Sequence, residues 1–150
     1  MRGLAAVRAA AALAVALVLA ACDISALMPQ EHVDFAKGVV MLVQNRDAEG
    51  LEAVAEPALW RQLTPDLRER MARAFPHDPV GGIDVASYRS SSGGSMTEVS
   101  IVLLYRYPQA MVQAAVTFRT AEDGFVLTAL NVARAAAPEG PNAPSTTRDM

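Results

Sequence analysis

The chain has 150 residues, of which 13 are Lys or Arg and 16 are Asp or Glu. Residues 1–21 contain two of the basic residues and no acidic one, so eleven basic and sixteen acidic residues follow, a net charge of −5. This acidic balance argues against nucleic acid or an anionic lipid surface as the main partner. The length allows one domain of about 100 to 115 residues, which is enough for a single hydrophobic core.

The first 21 residues have the three parts of an export signal. Arg2 and Arg8 give a positively charged start, and Ala9 to Ala21 is a run built only from Ala, Leu and Val. A membrane-spanning helix needs roughly 20 apolar residues, so this run is too short to be a permanent span. It ends in Leu19-Ala20-Ala21-Cys22, which resembles the lipobox of bacterial lipoproteins.

The resemblance implies that Cys22 is acylated, with chains such as palmitate, and becomes the first residue of the mature protein. Cys22 is the only cysteine in the chain, and acylation accounts for a lone thiol in an exported protein. The alternative is a secreted protein with an exposed thiol. Asp23 resembles a sorting signal that favours the inner over the outer membrane. The resemblance therefore implies a lipid-anchored protein on the periplasmic face of the cell membrane.

Helical patterns fill the first part of the mature chain, after a tether at residues 22–30. Glu31 to Ala48 has apolar residues at spacings of three and four, which predicts one amphipathic helix. Leu51 to Glu56 predicts a brief second helix, and Ala58 to Leu63 predicts a turn or short helix. Thr64-Pro65-Asp66 predicts the start of another helix, because threonine is a good N-cap and proline is favoured at the first helical position.

After Pro79 the apolar residues alternate, which predicts β-strands. Short links make neighbouring strands antiparallel, and four strands are expected, at Ile83–Ser90, Thr97–Tyr107, Met111–Thr120 and Phe125–Arg134. Ser90 to Ser95 is expected to be a flexible connection, and the last strand is expected to have Phe125, Leu127 and Ala129 on one face. Residues 136–150 lack an apolar period and predict a disordered tail.

Helices followed by an antiparallel sheet predict an α+β fold, with the helices covering one face of a curved four-stranded sheet. The order of elements, with Leu63-Thr64-Pro65-Asp66-Leu67 at a helix start, resembles the NTF2-like (cystatin-like) superfamily over residues 31–135. The resemblance implies a cone-shaped cavity between the sheet and the first helix. Enzymes of this superfamily place an acid or a tyrosine in that cavity, where burial raises a carboxyl pKa.

Five residues are candidates for such a cavity, chosen by the strand face that alternation gives them or by position: Trp60, Asp84, Tyr88, Tyr105 and Tyr107. The tyrosines are also expected in a core or at its rim, with their hydroxyls hydrogen-bonded. Asp84 follows two glycines and has the alternative role of marking the start of a strand. His32 has no second histidine at helical spacing, so neither a metal site nor a cofactor is expected.

Three functions stay open from the sequence. The leading hypothesis is a lipid-anchored extracytoplasmic protein that binds a protein partner or a small apolar ligand without catalysis. The second is a pocket enzyme of the isomerase or dehydratase kind, which requires a buried acid in an open cavity. The third is a structural subunit of an envelope complex, with the outer face of the sheet as its interface.

Replacement of Cys22 by serine tests the lipobox prediction. Each buried methylene contributes about 0.8 kcal/mol, so two or three acyl chains hold the chain at the membrane by tens of kcal/mol. We expect Cys22→Ser to move the protein from the membrane fraction to the soluble fraction, whereas the control Ile24→Ser stays with the membrane. Cell fractionation and mass spectrometry of the mature N-terminus measure the outcome, and an unmodified wild-type thiol would contradict it.

Overall fold

The computed structural model describes residues 27–136. The predicted signal peptide, Cys22, Asp23 and residues 137–150 of the predicted tail lie outside the described residues. Four helices come first, α1 (Gln30–Gln44), α2 (Ala48–Val54), α3 (Pro57–Gln62) and α4 (Pro65–Arg73). Four strands follow, β1 (Gly82–Gly93), β2 (Met96–Arg106), β3 (Ala110–Ala121) and β4 (Gly124–Ala136).

The strands form one antiparallel sheet in the order β1-β2-β3-β4, so each strand pairs with its neighbours in the chain. This arrangement confirms the predicted α+β class and the four antiparallel strands. Within residues 27–136, every helix is too short or too polar to cross a membrane.

Local stereochemistry sets the helix boundaries. α1 ends before the predicted Ala48 because Arg46 adopts a left-handed backbone conformation with φ 55°. The Asp47 side chain then caps α2 by accepting a hydrogen bond from the Gly50 amide at 2.9 Å. Thr64 Oγ1 accepts a hydrogen bond from the Leu67 amide at 3.3 Å, which confirms the predicted N-cap of α4.

The core lies between α1 and the inner face of the sheet. Among the strands, α1 packs against β2 and β3, and its buried apolar residues are Val33, Ala36, Val39, Val40 and Val43. The alternating residues of β2 and β3 that face it are also buried, as predicted: Val99, Ile101, Leu103, Tyr105, Val112, Ala114, Val116 and Phe118. Side chains therefore fill the space between α1 and the two central strands.

Two β-bulges change the alternation in the outer strands. The extra residue is Ala86 in β1 and Thr128 in β4. A bulge reverses the face on which the following side chains lie. After Thr128, Leu130 and Val132 pack against the core, while Ala129 is exposed. The expectation that Ala129 shares a face with Phe125 and Leu127 is therefore wrong.

A tight hairpin joins β1 to β2, so the flexible connection expected at Ser90 to Ser95 is also wrong. β1 continues to Gly93 and β2 begins at Met96, which leaves two residues for the turn. Gly94 has φ 63°, a conformation that glycine adopts at little steric cost. The serines belong to the strand because the backbone of β2 pairs with them regardless of their polar side chains.

The cap at Thr64 gives a test of the helix start. Thr64→Ala removes the side-chain acceptor of the Leu67 amide, so we expect the free energy of unfolding to fall by about 1 kcal/mol. Thr64→Ser keeps the hydroxyl and is the matched control, with most of the stability retained. Equilibrium urea unfolding measures both values, and an equal loss in the two variants would show that the hydroxyl is not the stabilising group.

Candidate functional site

A groove separates α1 from β1, the edge strand of the sheet. Among the strands α1 packs on β2 and β3, and the inner face of β1 is partly uncovered. This α1–β1 groove has a volume of about 640 Å³, within the range of pockets that hold small ligands. Its helix side consists of Met28, Gln30, Val33 and Lys37, and its strand side of residues 83–88.

Apolar side chains form much of the groove. Ile83 is 36% exposed, and Met28 and Val85 are only partly buried against the core. Lys37 and Gln30 add a cationic and an amide group on the helix side. This combination suits an apolar ligand, or an apolar peptide side chain, that carries a polar or anionic end.

An aromatic cluster borders the groove at Tyr88. The Tyr88 hydroxyl lies 3.0 Å from His32 Nδ1, and the two rings stack with their centroids 6.1 Å apart. Phe118 and Phe125 meet the His32 ring edge-on at 5.6 and 5.4 Å. The hydrogen bond satisfies a buried histidine and fixes the orientation of the Tyr88 ring, so this side of the groove is preformed.

Tyr105 and Tyr107 lie in the core at the end of β2. The Tyr105 ring meets Phe75 edge-on at 5.6 Å, and burial raises the pKa of the Tyr105 hydroxyl to about 12. The Tyr107 hydroxyl accepts a hydrogen bond from Gln44 Nε2 at 3.4 Å. Burial also raises the pKa of Tyr107, and this hydrogen bond partly opposes the increase. Both tyrosines are therefore protonated core residues at neutral pH.

Asp84 borders the groove through its strand, but its carboxylate lies on the outer face of the sheet. Asp84 Oδ2 is 2.9 Å from Arg106 Nη2, and the residue opposite Asp84 on β2 is Leu104. Simple alternation gives Asp84 the same face as Tyr88, whereas the Ala86 bulge between them puts the two on opposite faces. The expected facing of Asp84 is therefore wrong.

Trp60 lies far from the groove in the fold. It belongs to α3, which contacts β4 at the opposite edge of the sheet from β1. The guanidinium carbon of Arg68 lies 4.5 Å from the centroid of the Trp60 ring, a cation–π contact. Of the five candidates, the structure brings Asp84 and Tyr88 to the α1–β1 groove and places the other three elsewhere.

Smaller pockets lie near the end of α1. One, of about 240 Å³, is lined by Gln44, Phe75, His77 and Arg134 among others. Beside it, Glu69 pairs with Arg46 at 2.9 Å and with Arg73 at 3.0 Å, and these hydrogen bonds lower the pKa of the Glu69 carboxyl. The part of the chain that the structure describes holds no group of three His, Cys, Asp or Glu residues arranged for a metal ion.

The helix side of the groove was missed by the sequence candidates. His32 precedes Ala36, Val39 and Val43 by four, seven and eleven residues, so it lies on the buried stripe of α1. That spacing predicts a buried histidine, which needs a hydrogen-bond partner such as a tyrosine. No comparable sequence signal identifies Lys37 or Met28, because their role depends on where α1 crosses the sheet.

The buried hydroxyl of Tyr105 predicts a loss of stability in alkali. Its pKa is 10.0 unperturbed and about 12 in the folded protein, so the folded state holds its proton more tightly. The protonated Tyr105 hydroxyl makes its full contribution to the free energy of unfolding below pH 10. As the pH rises to 12, we expect that free energy to fall by about 2 kcal/mol. We expect Tyr105→Phe to remove this part of the pH dependence, measured by urea unfolding across that interval. A variant as sensitive to alkali as the wild type would contradict it.

No protein-family model, curated protein or solved structure matches the chain. The likeness to the NTF2-like superfamily consequently rests on the order of elements and on the start of α4.

Proposed function

We propose that the chain is a lipid-anchored extracytoplasmic protein that binds a protein partner or a small apolar ligand in the α1–β1 groove, without catalysing a reaction. The observation that carries the binding role is the partly uncovered apolar surface of β1, with Ile83 and Val85 beside Met28. Leu19-Ala20-Ala21-Cys22 supports the lipid anchor on the periplasmic face, and Asp23 favours the inner membrane.

The distribution of ionisable groups supports binding over catalysis. A pocket enzyme of the isomerase or dehydratase kind requires an acid directed into its cavity. The one carboxylate among the residues that line the groove is that of Asp84, and it pairs with Arg106 on the outer face. Lys37 on the helix side is suited to attract the anionic end of a ligand.

We further propose that the fold is an NTF2-like cone. The support is a first helix packed across the inner faces of the central strands of an antiparallel sheet, together with the Leu63–Leu67 segment at the start of α4. Interior side chains occupy the middle of this cone, and the space that is open to a ligand lies at its side, along β1.

A second candidate function is that of a structural subunit in an envelope complex. The four described helices pack on the inner face of the sheet, and Val102, Leu104 and Ala115 on the outer face are only partly buried. Ser100 and Thr117 next to them hydrogen-bond to each other at 3.0 Å. An apolar centre with a polar surround is the composition of many protein interfaces.

An environment-sensitive fluorophore, anilinonaphthalene sulfonate, tests the groove because it combines an apolar ring system with an anionic group. Ile83→Asn removes an apolar contact at the groove, so we expect the dissociation constant to rise about five- to tenfold. Met41→Asn is the matched control, because Met41 is also on the surface, 58% exposed, but lies outside the groove. Fluorescence titration of the full chain measures the three constants.

Other outcomes would locate the binding surface elsewhere. If Ile83→Asn binds the fluorophore as the wild type does, the α1–β1 groove is not the apolar site and the proposal fails. If Leu104→Asn alone weakens binding, the outer face is the adhesive surface and the structural-subunit function is favoured. Circular dichroism of each variant establishes that the fold is retained.

A further inference from the structure

β1 is an edge strand of the described sheet. It pairs with β2 over its whole length, from Gly82 to Gly93, and within residues 27–136 no other strand pairs with its second edge. The opposite edge of the sheet is partly protected, because Glu56 donates a backbone hydrogen bond to the Leu127 carbonyl at 2.9 Å. A long free edge without proline or lysine is a surface for pairing with another strand.

The charges of β1 are arranged for pairing with an identical strand. Asp84 and Arg89 are its only charged residues, and in a regular strand residues five apart lie on opposite faces. The Ala86 bulge between them places both on the outer face, since their β2 partners Leu104 and Ser100 share that face. Both side chains are exposed, and Arg89 forms no ion pair with the described residues.

We propose that two copies of this chain associate through their β1 edges, antiparallel, about a two-fold axis between Ala86 and Ser87. In this register Asp84 of each copy lies opposite Arg89 of the other, so symmetry gives two attractive charge pairs on the outer face. Asp84 Oδ2 lies 2.9 Å from Arg106 Nη2 within the chain. A carboxylate accepts hydrogen bonds from two guanidinium groups at once.

The same register also matches the inner face. Val85 of one copy lies opposite Tyr88 of the other, an aliphatic–aromatic pair of the kind that stabilises neighbouring strands. Ile83 lies opposite Ser90, whose small side chain leaves room for it. The bulges sit at the axis and so do not interrupt the pairs on either side.

Pairing about this axis forms one continuous sheet from the two four-stranded sheets. The two-fold axis is perpendicular to the sheet, so the helices of both copies lie on the same side and the two α1–β1 grooves face each other. The proposed dimer depends on the exposed edge and the charges of β1. It does not depend on whether the α1–β1 groove binds a ligand.

Charge reversal gives a register-specific test. Asp84→Arg alone opposes arginine to arginine at both pairs, and Arg89→Asp alone opposes aspartate to aspartate. We expect each variant to self-associate about tenfold more weakly than the wild type. A mixture of the two variants restores both attractive pairs, so we expect it to form a heterodimer of wild-type affinity.

Sedimentation velocity of the full chain in detergent, with one variant fluorescently labelled, measures the homodimers and the heterodimer. Glu52→Arg and Arg61→Asp, which reverse exposed charges on α2 and α3, are the matched controls and should associate as the wild type does. A wild-type chain that stays monomeric at about 100 μM would overturn the proposal. So would a dimer that neither reversal weakens, because its interface would lie elsewhere, or a mixture that does not recover.

Discussion

The burial of the apolar stripe of α1 against β2 and β3 is the contact on which the rest of the structure depends. A helix with its side chains is about 10 Å wide, and neighbouring strands are about 4.8 Å apart. One helix therefore covers two strands well. The short helices α2, α3 and α4 contact β4, and none of the four described helices packs closely on β1.

The α1–β1 groove forms because the helices cover β2, β3 and β4 better than they cover β1. Four strands need more helical surface than α1 supplies, and the three short helices all come between α1 and β1 in the chain and pack toward the other edge. The side chains that β1 turns inward then border Val33 and Lys37 of α1 along one flank, and Tyr88 reaches His32 of α1. The groove beside β1 thus depends on which strands the helices pack against, and it requires no particular sequence motif.

The order and type of the elements could be predicted from the sequence because local rules determine them. The apolar period of α1, the cap at Thr64 and the alternation in β2 and β3 all agree with the structure. Two of the errors, those at Asp84 and Ala129, come from a bulge that lies between the residue and others assigned to the same face. A bulge shifts pairing by one residue, and no residue type at Ala86 or Thr128 announces it.

The candidate site was harder to predict than the fold. Alternation predicts the strand face of the three tyrosines, yet Tyr105 and Tyr107 lie in the core. Tyr88 is held by a hydrogen bond with His32, fifty-six residues earlier in the chain. Such a contact depends on the angle at which α1 crosses the sheet. The sequence shows that β1 contains Asp84 and Arg89. They lie on one face only because of the bulge at Ala86, which simple alternation does not predict.

The position at which α1 begins limits the distance between Cys22 and the domain. α1 begins at Gln30, and the eight residues from Cys22 to Pro29 precede it. Even fully extended, they span at most about 28 Å, less than the roughly 40 Å thickness of a lipid bilayer. With Cys22 acylated, Met28 and the groove beside it stay within one bilayer thickness of the lipid surface. With the proposed anchor at Cys22, a partner or ligand in the groove would be held close to the membrane surface.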